Sequence, residues 1–189
     1  MELLPCPHPI ELQQKGEVME KIARLLKETP IFSRFDKWSL EYLASLTERK
    51  EYRSNEWLFH EFTQREWLSI VEKGEVRIVR GSEEKHSDLA ILREGGILSE
   101  RILLNDLPHS VSCYSQEGAI IVQFSRQALE RAKTKRPDLY YRIVAGVAHL
   151  VNDRLRYAAK RPTIENVSYL ESDHGSKWNR DTWSIMGKN

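Results

Sequence analysis

The sequence predicts an α+β fold in which helical segments flank a run of short β-strands. Three observations indicate this class. Apolar residues recur at helical spacing before residue 30, in short strand-like runs from about residue 50 to 124, and at helical spacing again from residue 126. Many short strands separated by turn residues are typical of a sandwich or a small barrel rather than of a βαβ sheet.

The first segment predicted to be helical covers residues 11–28. Ile22 and Leu25 fall on one side of it, and Pro30 ends the helix because a proline disfavours helical backbone in the residue before it. A second, short helix is expected after Asp36, whose carboxylate can accept hydrogen bonds from the first free N–H groups.

The segments predicted to be strands are short apolar runs bounded by glycine, asparagine or charged turns. In chain order they lie around Tyr52 and at 57–59, 67–71, 76–79, 89–92, 111–114 and 119–124. Residues 72–75 and 116–118 each contain a glycine and are predicted to be tight turns between successive strands. Residues 81–87 are predicted to be a polar loop.

Helical spacing returns after the strands. Ser125 is a candidate cap for a helix over 126–135, and Pro137 can occupy the first turn of a long helix that reaches about Lys160. The long helix carries an apolar stripe whose members step by four and three residues: Tyr140, Val144, Val147, Val151, Leu155 and Ala158. Such a stripe fits either a homodimer seam or packing against the barrel.

The composition indicates one domain in a reducing compartment. The 189 residues are 40% hydrophobic with a net charge of +1, which excludes a disordered chain and argues against bulk nucleic-acid binding. Cys6 and Cys113 stand far apart, so neither a disulfide framework nor a zinc site is suggested. No apolar run approaches the ~20 residues that cross a bilayer, and no signal-peptide pattern is present. We expect a cytoplasmic protein without a membrane partner.

The expected organisation is an irregular lead over 1–10, a folded domain over 11–160 and a tail over 161–189. Between residues 124 and 161, ten basic residues stand against three acidic ones. This segment fits either a docking surface for an acidic partner or a solvated helix face. The residues from Pro162 onward contain no helix–turn–helix pattern, so no direct DNA reading is expected.

The stretch from Gly95 to Cys113 is the candidate site. A glycine pair follows a strand, and a short helix is predicted to open at Ser99. Free N–H groups in the first turn of a helix can bind an anion, and the carboxylate of Glu100 suits a sugar hydroxyl. Taken alone, these features belong to any capped helix.

The order and spacing of these segments resemble the cyclic nucleotide-binding domain family, which includes the regulatory domains of catabolite activator proteins. The resemblance covers roughly residues 20–160: Pro30-Ile31-Phe32, residues 52–59 and 68–78, the candidate site, the two strands after it and the long helix from Arg136. It implies an antiparallel jelly-roll β-barrel flanked by N-terminal helices and a long C-terminal helix. It also implies a regulatory, non-enzymatic role and cAMP or cGMP as the ligand.

The family's phosphate-binding cassette contains a Gly-Glu pair, a short helix, an arginine, and then small and hydroxyl residues. Carried over by position, the glycine site is Ser99, the glutamate is Glu100 and the arginine is His109. The other candidate ligand-binding positions are Arg101, Ser110, Ser112 and Arg154. By position, Arg154 lies where family members close over the base.

Three departures from the family pattern leave two hypotheses open. Histidine lacks the permanently charged fork of arginine, Ser99 replaces a glycine, and Arg101 stands where the family buries an apolar residue. The chain is either a stand-alone sensor that signals through its C-terminal helix or a ligand-free protein-interaction module. The expected partners are a small nucleotide and a protein or a second copy bound through that helix. His60, His86 and His109 lack the spacing of a metal-binding barrel, so no metal is expected.

Overall fold

The computed structural model describes residues 9–159 and 183–184 of the chain. Its helices are α1 (Pro9–Glu28), α2 (Lys37–Ala44), α3 (Arg126–Lys135) and α4 (Pro137–Ala159). Each matches a predicted helix. However, α1 begins at Pro9, inside the stretch expected to be irregular, because a proline is tolerated in the first turn, where its missing N–H is not needed. Residues 1–8 lie outside the described part.

The predicted helix caps are present. The Asp36 carboxylate accepts a hydrogen bond from the backbone N–H of Ser39 at 3.0 Å. The Ser125 hydroxyl accepts one from the backbone N–H of Ala128 at 3.1 Å. These contacts satisfy N–H groups that have no partner within their own helix, and they fix where α2 and α3 begin.

The strands are β1 (Thr47–Tyr52), β2 (Glu56–Phe59), β3 (Trp67–Gly74), β4 (Val76–Gly81), β5 (His86–Leu92), β6 (Ile97–Leu98), β7 (Ser112–Ser115), β8 (Ala119–Ser125) and β9 (Trp183–Ser184). The loop predicted over 81–87 is shorter in the structure, because Gly81 and His86 still pair across the β4–β5 ladder. Strand pairing therefore continues through residues whose polarity alone indicates a loop.

Two antiparallel sheets contain these strands, in the orders β1-β8-β3-β6 and β2-β7-β4-β5-β9. The turn predicted over 116–118 joins β7 to β8. The turn predicted over 72–75 is shorter, because β3 continues to Gly74 and Glu75 alone separates it from β4. Each of these connections passes from one sheet to the other. The two turns pack closely, since a Cβ on Gly74 would lie 2.5 Å from the carbonyl oxygen of Gly118. The predicted α+β, jelly-roll-type class is confirmed, as two sheets rather than a closed barrel.

Each face of the first sheet covers a different apolar cluster. Along β3, Leu68 and Ile70 point towards the helices, whereas Val71 points towards the second sheet. The inner cluster lies between the sheets and contains Tyr52, Val71, Val76, Leu92, Leu98, Cys113, Ala119 and Ile121. The outer cluster joins the first sheet to α1, α2, α3 and α4.

Helix α4 packs into this outer cluster along most of its length. Its buried members are Leu139, Tyr140, Ile143, Val147 and Leu150, with Val144 and Val151 partly buried against them. The stripe predicted from the sequence is thus occupied by packing against the domain as far as Val151, and Leu155 beyond it is 65% exposed. The helix approaches the segment after α1 closely, because a Cβ on Gly146 would lie 2.9 Å from the carbonyl oxygen of Ile31.

Part of the expected tail adds to the second sheet. Trp183 pairs with Leu92, and Ser184 pairs with Ile91, at the edge formed by β5. The rest of the stretch over 161–189 lies outside the described residues. Among the helices that the structure describes, none is long and apolar enough to cross a membrane.

Candidate ligand-binding site

The candidate site begins where β6 ends. Ser99 follows this strand with φ 59° and ψ 23°, the left-handed backbone conformation, and the 3₁₀ turn Glu100–Leu103 comes next. A non-glycine residue adopts this conformation at a cost, whereas glycine adopts it freely. Ser99 therefore keeps the backbone shape that the family's glycine would provide.

The 3₁₀ turn directs its side chains to different places. Glu100 is 7% exposed, and Ile102 is buried in the outer cluster among the helices. Arg101 is exposed. The arginine at the position where the family buries an apolar side chain thus points outward, and the neighbouring isoleucine fills the core.

His109 is buried against the loop that follows β2. Its carbonyl oxygen accepts from the N–H of Phe62 at 2.8 Å, and its N–H donates to the carbonyl oxygen of Thr63 at 2.9 Å. Its ring stacks on Phe59 with the ring centroids 3.8 Å apart. Burial first, and the nearby Arg65 second, lower the pKa of His109 to about 4. The imidazole is therefore neutral near pH 7 and does not replace an arginine charge.

The remaining predicted residues are distributed differently. Ser112 is 1% exposed, and its hydroxyl accepts from the backbone N–H of Glu61 at 2.9 Å. Ser110 is exposed. Arg154 belongs to α4, and its side chain lies outside the described part of the chain. Glu100, His109 and Ser112 are thus the buried members of the predicted set.

Arg65, which sequence reasoning missed, is a buried cation beside these residues. It is 3% exposed, and its Nη1 donates to the Oδ1 of Asn105 at 3.0 Å. Its pKa is lowered first by burial and then by the nearby Arg101, whereas Glu100 raises it. The residue stands in a polar loop with no motif, so nothing in the sequence distinguishes it from a surface arginine.

The described residues contain no group of three or more histidine, cysteine or acidic side chains that could hold a metal ion. His60 and His86 instead surround Trp57, with ring centroids 4.8 Å and 5.8 Å from it. Cys113 is fully buried between the sheets, and burial raises the pKa of its thiol. A buried protonated thiol is a poor nucleophile.

The comparisons with known proteins point to one class of domain. Residues 49–136 match the family model described as "Cyclic nucleotide-binding domain". The match confirms, over these residues, the resemblance to this family that the sequence carries. A search of curated proteins found no match to the chain.

Solved structures share the fold at low sequence identity. A cyclic nucleotide-binding domain from Methylobacillus flagellatus KT is 20% identical with a TM-score of 0.68, and the match covers 82% of this chain and 88% of that one. The catabolite activator protein of Thermus thermophilus is 22% identical with a TM-score of 0.61, over 70% and 61% of the two chains. The regulatory domain of Toxoplasma gondii PKA, co-crystallised with cAMP, is 22% identical with a TM-score of 0.55, over 67% and 49%.

Proposed function

We propose that the domain is a regulatory, non-catalytic sensor that binds a cyclic nucleotide, or a related small anionic ligand, at the cassette. The observation that carries this proposal is the left-handed backbone of Ser99 beside the buried Glu100. This conformation costs a non-glycine residue about 1–2 kcal/mol. Backbone strain that the surroundings maintain is concentrated at ligand-binding and switch regions.

A second residue with a strained backbone supports a ligand site at the cassette. Asn55, Phe62 and Ser99 are the non-glycine residues with positive φ in the described chain. Asparagine tolerates this region, but a bulky aromatic does not. Phe62, with φ 68°, is hydrogen-bonded to His109, so both costly conformations lie at the cassette.

The ligand contacts we propose use the buried groups of the cassette. The carboxylate of Glu100 would accept from a ribose hydroxyl, and the Ser112 region would face the cyclic phosphate. The cAMP-bound regulatory domain of Toxoplasma gondii PKA, which shares the fold, supports cAMP or cGMP as the first ligands to test. No other cofactor is proposed.

Ile102 offers a route from the cassette to α4. It lies in the 3₁₀ turn and belongs to the same buried cluster as Ile143 and Val147 of α4. A ligand that shifts the turn would therefore change the packing of the helix. We propose that ligand binding selects between two positions of α4, since a packed core has discrete arrangements rather than a continuous range.

Titration of the purified chain with cAMP and cGMP tests the binding proposal. Calorimetry and fluorescence from the five tryptophans should report saturable binding. Glu100→Gln should weaken it about tenfold, because the ribose hydroxyl would donate to a neutral amide oxygen instead of an ionised carboxylate. Glu94→Gln, at an exposed position before Gly95, is the matched control and should bind as the parent does. No signal at millimolar nucleotide would contradict the proposal.

The second candidate function is a protein-interaction module without a ligand. It is favoured by exposed apolar side chains on the cassette and the adjoining loop. Phe62 is 77% exposed, Leu107 is 57% exposed and Leu104 is 44% exposed. In this alternative, the His109–Phe59 stack takes the place of the ligand, the parent binds no nucleotide, and Phe62→Ser weakens binding to the protein partner.

The outer face of α4 is our proposed homodimer seam. Its exposed residues Tyr141, Ala145, Ala148, Asn152 and Leu155 step by four, three, four and three. This is the spacing of coiled-coil contact positions, and small residues allow two helices to approach closely. This seam differs from the apolar stripe predicted from the sequence. That stripe packs into the domain as far as Val151, and Leu155 is the residue that the stripe and the seam share.

A further inference from the structure

The cassette lacks a cation at the position where the family carries one. His109 stands there, and its ring is buried and stacked on Phe59. A neutral imidazole offers at most one donor to an anion. If the site binds a phosphate, another group of the chain must supply the positive charge.

Arg65 is a buried cation that can supply this charge. It comes from the loop before β3, not from the cassette, and it is 3% exposed. Its backbone carbonyl accepts from Nη2 of Arg126 at 2.8 Å, and its Nη1 donates to Oδ1 of Asn105 at 3.0 Å. Asn105 Oδ1 also accepts from the N–H of Leu107, at 3.2 Å. Both ends of the arginine are therefore held in place.

The hydrogen bonding of Arg65 leaves donors available. A guanidinium has five N–H donors, and the one acceptor its side chain contacts among the described residues is the neutral amide of Asn105. Burying a guanidinium with few hydrogen-bond acceptors is costly, and an anionic ligand that accepts from its remaining donors would stabilise it.

The charges around Arg65 favour an anion as well. Arg101 and Arg126 are near enough to act on it, with Glu100 as the opposing charge. Arg126 is already paired with Asp106 at 2.7 Å. An incoming phosphate oxygen would meet a local excess of arginine charge.

We propose that Arg65 binds the anionic phosphate group of the ligand and supplies the cationic contact that His109 cannot provide. The ligand class is a phosphate ester, including a cyclic phosphodiester. This inference rests on the proposed function, because it assigns a residue to the same site. It predicts that affinity depends on a loop outside the cassette.

The test uses the full chain, with cAMP and inorganic phosphate as separate probes. Arg65→Gln should weaken cAMP binding about ten- to a hundredfold, the loss expected for one charge-assisted contact. Arg80→Gln, at an exposed position on β4, is the matched control and should stay within threefold of the parent. Arg65→Lys keeps the charge without the fork, and should fall between the two. If Arg65→Gln fails to fold, Arg65→Lys and Asn105→Ala carry the test, and each should weaken binding severalfold.

The outcomes separate this inference from the proposed function. If cAMP binds the parent and folded Arg65 variants equally, the Arg65 assignment is overturned and the function stands. If cAMP does not bind, but inorganic phosphate shifts the Arg65 Nε–H resonance, the assignment is supported and the cyclic-nucleotide function is overturned. If neither probe binds the parent, both are overturned.

Discussion

His109 shows how one substitution changes the chemistry of a site without changing its backbone. The residue is held by two main-chain hydrogen bonds to Phe62 and Thr63, and these do not depend on its side chain. Its ring packs as an aromatic on Phe59. A group that is permanently charged in the family pattern is here a buried, neutral, titratable one.

The first prediction concerns pH. The folded pKa of His109 is about 4, below its ordinary value of 6.5. Between about pH 6.5 and 4 the unfolded chain takes up a proton that the folded chain does not, so folding stability falls as pH falls through this window. Relative to His109→Phe, which keeps an aromatic ring, the parent should lose about 2–3 kcal/mol of stability between pH 7 and pH 4. Urea unfolding across this range measures it.

The control for this prediction is His149→Gln, because His149 is exposed on α4. This variant should follow the parent's pH profile. Parallel stability curves for the parent and His109→Phe across the same range would show that His109 does not titrate as its burial requires.

At the residue scale, the sequence could select some residues of the proposed site but not Arg65, and the reason is physical. Ser99, Glu100 and His109 lie in one short segment, so a positional match is enough to select them. Arg65 lies near His109 because the loop after β2 is hydrogen-bonded to the backbone of His109. That contact depends on tertiary packing, which a local pattern does not encode.

Helix α4 contacts both the candidate site and the segment after α1. It packs against the 3₁₀ turn on one part of its surface and against Ile31 at Gly146 on another. Because the second contact is backbone against backbone, even one methyl group at this position must push the helix away.

The second prediction tests this contact. Gly146→Ala should destabilise the chain by about 1–3 kcal/mol, since the added Cβ would lie 2.9 Å from the Ile31 carbonyl oxygen. Gly16→Ala is the matched control, because Gly16 lies in α1 with nothing within 4 Å of an added Cβ. That variant should gain up to about 1 kcal/mol from helix propensity. Thermal unfolding of both compares them, and equal stabilisation would contradict the packing described.

The sequence predicted where helices and strands occur, but not which strands pair with one another. Caps at Asp36 and Ser125 gave correct helix starts because capping is local chemistry. The chain reversals near Gly74 and Gly118 were also predictable, although β3 continues to Gly74. Their strands lie in opposite sheets, because turn residues specify a reversal of the chain and not the partner of each strand.

At the scale of the whole molecule, the proposed dimer depends on the outer face of α4. The apolar stripe that the sequence offered as a dimer seam packs into the domain core as far as Val151. The face left exposed carries Tyr141 and Leu155 at its ends, with Ala148 between them. The spacing of the residues alone could not tell which stripe packs into the domain and which one is exposed, since both stripes follow helical spacing.

The third prediction concerns the molecular mass of the protein in solution. Light scattering of the full chain should report twice 22.2 kDa if the seam joins two copies. Ala148→Glu should yield the single-chain mass, because two like charges would meet at the closest point of the seam. His149→Glu, one residue off the seam, should leave the dimer intact. A single-chain mass for the parent over a wide concentration range would refute the seam.

The central claim is that a nucleotide at the cassette is sensed by α4. Hydrogen exchange of the full chain with and without saturating cAMP tests it most directly, because one measurement reads both places. The account predicts slower exchange over residues 96–112 together with a change within α4. Unchanged exchange in both segments at millimolar cAMP would contradict it.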